Sequence, residues 1–125
     1  MPVRIVVVHD EPEFARPLTE ALTDAGFEVT AFANPMHAFQ ALEAAESIVN
    51  VDMLITRFRF GTPQPLGPSL ARVARVMHPH MSVIFVAQPQ FRTAAKDTGE
   101  FIPAPAEIED VVAAVARTTA SKLAA

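Results

Sequence analysis

The sequence of 125 residues contains no cysteine, no tryptophan and no tyrosine, and only four glycines. Without cysteine there is no thiol to oxidise and no disulfide framework. Long hydrophobic runs are missing too: runs such as Ile5 to Val8 and Val83 to Ala87 are strand-sized and far short of the roughly 20 residues of a membrane span. An excess of positive charge is also missing. Ten Lys and Arg stand against 14 Asp and Glu, a net charge of -4. The arginines are dispersed rather than gathered into the basic surface that a phosphate backbone requires, so neither a nucleic acid nor a membrane is expected as partner. The opening "MPVRIVVV" has no basic region, long apolar stretch or small-residue cleavage site of a signal peptide, and a cytoplasmic chain is expected.

What is present is a chain that is 50% hydrophobic, expected to form one domain over residues 1–125 and long enough to bury about two thirds of its unfolded surface. Apolar runs alternate with amphipathic stretches, the pattern of an α/β fold. Val3 to Val8 is continuous and β-branched, as a strand covered on both faces requires. "DEPE" then opens a helix with Pro12 in its first turn, Phe14, Leu18, Ala21, Leu22 and Ala25 on one face and Gly26 as C-terminal cap. Glu28 to Phe32 reads as a second strand. Asn34 is the expected N-cap and Pro35 the first residue of the next helix, which carries Ala38, Phe39, Leu42 and Ala45 inward.

Asp52 to Thr56 is the expected third strand, and the loop "RFRFGTPQPLGP" leads to a third helix with Leu70, Val73, Ala74 and Met77 inward. Met81 to Val86 is the fourth strand. "QPQFRTAAKDTG" leaves room for a short helix at most before a brief fifth strand, Phe101 to Pro103. The last helix is expected from Pro105 or Ala106, with Ile108, Val111, Val112 and Val115 inward, and the terminal "KLAA" reads as a frayed end rather than a proteolysis tag.

In an open parallel sheet, ligands gather beyond the carboxyl ends of the strands, where strand order reverses. His9, Asp10 and Glu11 follow the first strand, Arg57 the third, Ala87 the fourth and Ala104 the fifth. With "VVVHDEP", "GFEVTAFANPMHAFQAL", "DMLITRFRF", "HPHMSVIFVA" and "FIPAP" in this order, the whole chain resembles the receiver domain of two-component response regulators. The resemblance implies a flavodoxin-like, doubly wound, five-stranded parallel sheet in the order 2-1-3-4-5. It also implies a phosphoryl group carried on an aspartate that ends strand three, and a magnesium ion held by two acidic residues after strand one. A Ser or Thr ends strand four, and a Lys precedes a cis-proline after strand five.

Here the acceptor position is Arg57, the Ser/Thr position Ala87 and the lysine position Ala104, while the acidic pair falls on His9 and Asp10, with Glu11 alongside. Pro105 falls on the cis-proline and Phe101 on the aromatic that acts as a switch in the family. The region between strands four and five is about a helical turn shorter than usual in the family, on the face that most receivers use for pairing. Arg57 offers no carboxylate nucleophile, and its permanent charge opposes a cation in the same pocket. No metal, cofactor or catalysed reaction is therefore expected.

The implied function is that of a pseudo-receiver, a signalling domain acting without phosphorylation through a protein partner, its own dimer mate included. The alternative is a small-molecule or anion sensor in the same crevice, with Arg57 as the anchor. Nearby acidic residues favour Arg57 as an internal counter-ion, in direct or single-water contact with Asp10. His9 reads as a surface loop histidine rather than a general base. His78 and His80 read as turn residues, since no third metal ligand accompanies them. For Phe101, an inward ring and ordinary edge packing are both compatible with the sequence.

Overall fold

A computed structural model describes residues 3–43, 51–60 and 67–124, residues 122–124 by backbone alone. Five strands, β1 (Arg4–Val8), β2 (Glu28–Phe32), β3 (Met53–Thr56), β4 (Ser82–Ala87) and β5 (Glu100–Pro103), form one parallel sheet in the order β2-β1-β3-β4-β5. The helices are α1 (Pro12–Asp24), α2 (Pro35–Glu43), α3 (Gly67–Met77), the single turn α4 (Arg92–Ala95) and α5 (Ile108–Ala124). This is the flavodoxin-like, doubly wound architecture expected from the sequence.

Successive side chains of a strand point to opposite faces, and the three central strands are apolar on both. Ile5, Val7, Met53, Ile55, Ile84 and Val86 share one core with Leu18 and Leu22 of α1 and Val111, Ala114 and Val115 of α5. Val6, Val8, Leu54, Val83, Phe85 and Ala87 share the other with α2, α3 and α4. Each fully covered Leu or Ile contributes about 1.5–3 kcal/mol. β2, at one edge, is only partly covered.

Local chemistry sets the helix ends. Pro12 opens α1, where its missing N–H costs no hydrogen bond. Gly26, just past the end, has φ 98°, a conformation that a side chain disfavours. Ala25, expected on the inward face, is instead the exposed cap residue. Asn34 caps α2 by accepting the Met36 N–H at 2.8 Å. Ala45 lies outside the described residues.

α3 differs from expectation. Gly67 and Pro68, read as loop, are its first two residues, and its buried face is Gly67, Leu70, Ala71 and Ala74 rather than Leu70, Val73, Ala74 and Met77. Met77 is 41% exposed. The small residues allow the helix backbone to approach the sheet closely, which outweighs the greater hydrophobicity of Val73 and Met77. The Gly67 N–H donates to the Phe58 carbonyl at 2.9 Å. A Cβ at Gly67 would stand 2.0 Å from the Arg57 carbonyl oxygen.

His78 does lie at the turn before β4, but it is buried, and its Nδ1 accepts the Val51 N–H at 3.3 Å. Between β4 and β5 a three-residue 3-10 turn, Pro89–Phe91, runs into α4, the short helix that the sequence allowed. α5 begins at Ile108 rather than at Pro105 or Ala106. The Glu107 carbonyl accepts from Asp110 and Val111 at 3.1 and 3.3 Å, placing the N-cap there. The backbone is helical through Ala124.

Candidate functional site

Parallel register brings the carboxyl ends of the central strands together, with Val8 opposite Thr56 and Thr56 opposite Phe85. Arg57 leaves β3 with its backbone held on three sides. Its N–H donates to the Val8 carbonyl at 3.4 Å. Its carbonyl accepts from the buried Thr56 hydroxyl at 3.0 Å, and Gly67 is docked against that same carbonyl. The side chain then turns toward the end of β1, where Nη1 donates to Asp10 Oδ1 at 2.6 Å and lies 3.3 Å from Glu11 Oε1. The expected contact with Asp10 is direct, and Glu11 joins it. Strands about 4.8 Å apart place their end residues within side-chain reach, so the ion group follows from topology.

His9 is not a surface residue. It is 8% exposed, and its ring lies 4.8 Å from that of Phe14, in the first turn of α1. Its Nδ1 accepts the Glu11 N–H at 3.1 Å, so in the neutral imidazole the proton sits on Nε2. Burial, and then the Arg57 guanidinium, push its pKa below the ordinary 6.5, against the opposing pull of Glu11 and Asp10.

Ala87 is buried at the end of β4, and the Ala104 N–H donates to its carbonyl at 2.7 Å. The two alanines are thus neighbours, and the Ala104–Pro105 bond is cis, as the resemblance implied. Ala87, Ala104, Val86, Ala106 and Phe14 give a cavity of about 350 Å³ its apolar wall, while Glu11, Glu13, Arg57 and Gln88 supply polar groups. Glu13 and Gln88 were not anticipated from the sequence.

Phe101 is half-buried at the sheet edge, opposite Phe85. The Arg92 guanidinium lies 4.9 Å above its ring, a cation–π contact. A second aromatic arrangement was also missed: Phe58 stacks on Phe91, with centroids 4.7 Å apart and planes 10° from parallel. The alternation in "RFRF" was its signal, since Phe58 and Phe60 are buried while Arg59 is exposed.

The acidic turn does not fit a divalent cation, because both of its carboxylates face a fixed guanidinium. Among the described residues there is no group of three or more His, Asp or Glu able to hold a metal ion. The same set contains no helix long and apolar enough to cross a membrane.

No protein-family model matches the chain, and no curated protein matches it either. Solved structures do. A response regulator receiver protein from Sinorhizobium medicae WSM419 is 28% identical, with 93% of each chain covered and a TM-score of 0.78. A response regulator receiver domain protein from Clostridium thermocellum is 22% identical, covering 98% of this chain and 99% of that one, with a TM-score of 0.79. An adenylate cyclase from Rhodopirellula baltica is 20% identical over 98% of this chain and 97% of that one, with a TM-score of 0.80, a likeness of fold alone. The chain therefore has the receiver-domain-like fold of two-component response regulators.

Proposed function

We propose that residues 1–125 act as one cytoplasmic, receiver-like signalling domain that takes no phosphoryl group, catalyses no reaction and works by binding a protein partner, a second copy of the chain included. The observation that carries this reading is Arg57 at the end of β3, paired with Asp10 and Glu11. Acyl-phosphate formation needs a carboxylate nucleophile and a divalent cation beside it. Arg57 provides no nucleophile, and it occupies the two carboxylates that would attract the cation. Ala87 and Ala104 have neither a hydroxyl nor an ammonium with which to steady a phosphoryl oxygen. The same pairing weakens the anion-sensor alternative, since a free anion would compete for a guanidinium already neutralised by two carboxylates.

Incubation with acetyl phosphate and magnesium, followed by intact mass measurement, tests the reading. The expected result is no added phosphoryl group. Stoichiometric phosphorylation mapped to Asp10 or Glu11 would overturn it.

A further inference from the structure

The sheet has two edges, β2 and β5, and they differ in what they offer to another strand. At β5 the Ala104 N–H donates to the Ala87 carbonyl. By the alternation of a parallel ladder, the preceding Pro103 then directs its nitrogen outward, where a proline has no N–H to give. At β2 the Glu28 N–H donates to the Val3 carbonyl at 2.9 Å, and the Phe32 carbonyl accepts from the His9 N–H at 3.1 Å. Glu28, Thr30 and Phe32 therefore bond inward to β1, and the N–H and C=O groups of Val29 and Ala31 point away from β1 to the open edge. β2 contains neither proline nor lysine, residues that commonly close such an edge. Beside it runs a groove of about 490 Å³ between α1 and β2, with Pro12, Ala15, Thr19, Ala31 and Ala33 in its lining. Val29 belongs to the core on the α1 side, so Ala31, two residues on, faces the same way, into that groove. Arg16 and Glu20 of α1 stand in the same lining, both exposed and neither in an ion pair among the described residues.

We propose that the β2 edge joins the β2 edge of a second copy of this chain, antiparallel about a two-fold axis at Thr30, so that one sheet runs through both copies. The interface rests on the protein-binding reading above and names its partner. In this register Val29 of one copy and Ala31 of the other exchange both backbone hydrogen bonds, and the axis repeats the exchange. An axis normal to the sheet keeps every side chain on its own face. Val29 of the second copy thus stands opposite Ala31 and enters the apolar groove beside α1. The two α1 helices then lie side by side and antiparallel. Arg16 and Glu20 are about 6 Å apart along their helix, and Val29 and Ala31 about 6.6 Å apart along their strand. The axis that pairs Val29 with Ala31 therefore also sets Arg16 against Glu20 of the second copy, and Glu20 against its Arg16. A charge pattern complementary to itself is what a two-fold interface requires.

Sedimentation equilibrium of the full chain, with amide hydrogen exchange measured on dilute and on concentrated protein, tests this. The chain should dimerise, and the Val29 and Ala31 amides should gain at least about ten-fold protection on concentration, while Thr30, already bonded to β1, gains far less. Ala31→Pro removes an outward N–H without touching the β1 ladder, and should leave a folded monomer. Arg16→Glu and Glu20→Arg should each weaken the dimer by about ten-fold, because the axis repeats every contact, and the double variant should regain the original affinity. That charge exchange decides the matter even where Ala31→Pro fails to fold. A chain monomeric at millimolar concentration, a dimer with Val29 and Ala31 unprotected, or a double variant no tighter than the single ones would each overturn the proposal. A monomer that takes no phosphoryl group from acetyl phosphate refutes this interface alone. Phosphoryl incorporation, in monomer or dimer, refutes the parent reading instead.

Discussion

The two ends of the sheet use the same chemistry for different purposes. At the amino end, Arg4 of β1 pairs with Glu28 of β2 at 2.9 Å, and its backbone N–H donates to Asp52 ahead of β3. At the carboxyl end, Arg57 after β3 pairs with Asp10 and Glu11 after β1. Arg4 and Glu28 are register partners on adjacent strands, so their contact fastens β2 to the sheet. Arg57 reaches instead into a loop, beside a buried histidine and an open cavity. Its side chain is 29% exposed, against 39% for Arg4, and its backbone is fixed by Val8, Thr56 and Gly67. An ion pair along a strand edge is a fastening; an ion pair held on a rigid backbone at a crevice defines what else can enter.

The largest break in that comparison comes from Gly67→Ala. Its Cβ would collide with the Arg57 backbone, so the variant should lose about 3 kcal/mol of stability in urea denaturation. Double-mutant cycles then sharpen the contrast. Arg57→Ala with Asp10→Asn should show a coupling of about 1 kcal/mol, whereas Arg4→Ala with Glu28→Gln should show about 0.3 kcal/mol and lose it in high salt. Equal couplings would place both arginines in the same surface class.

The smallest expected effect is of pH, because Asp10 and Glu11 oppose what burial and Arg57 do to His9. Its folded pKa lies below the unfolded value, so the unfolded chain binds more protons as pH falls through about 6.5. Stability should therefore be full above that pH and decline below it, and His9→Gln should flatten the decline in denaturation measured at about pH 7.5 and 5.5. A steeper decline in the variant would contradict the assignment.

What the sequence made legible was what period and chain order determine. The β-branched run of β1, the Asn34 cap and the Gly26 stop are local, and the carboxyl-end residues follow once the strands are in order. The face of α3 was not legible, because two stripes share Leu70 and Ala74. Hydrophobicity ranks Val73 and Met77 above Gly67 and Ala71, yet close approach to the Arg57–Phe58 backbone selects the small ones. His9 was misjudged for a related reason: its position at a strand end suggests exposure, and the covering ring comes from Phe14 on the next element. The partners of Glu13 and Gln88 in the cavity wall depend on loop geometry that no spacing encodes.

The Phe58–Phe91 stack has a spectroscopic consequence. With neither tryptophan nor tyrosine in the chain, the protein has little intrinsic emission by which to follow events near Arg57. Two rings 10° from parallel, 4.7 Å apart, instead place each other's protons in the shielding cone of a diamagnetic ring current. Phe58 directly follows Arg57, and Phe91 directly precedes the Arg92 that covers Phe101. Upfield-shifted phenylalanine ring protons are thus a built-in magnetic reporter, one that spans the molecule from the crevice to the sheet edge.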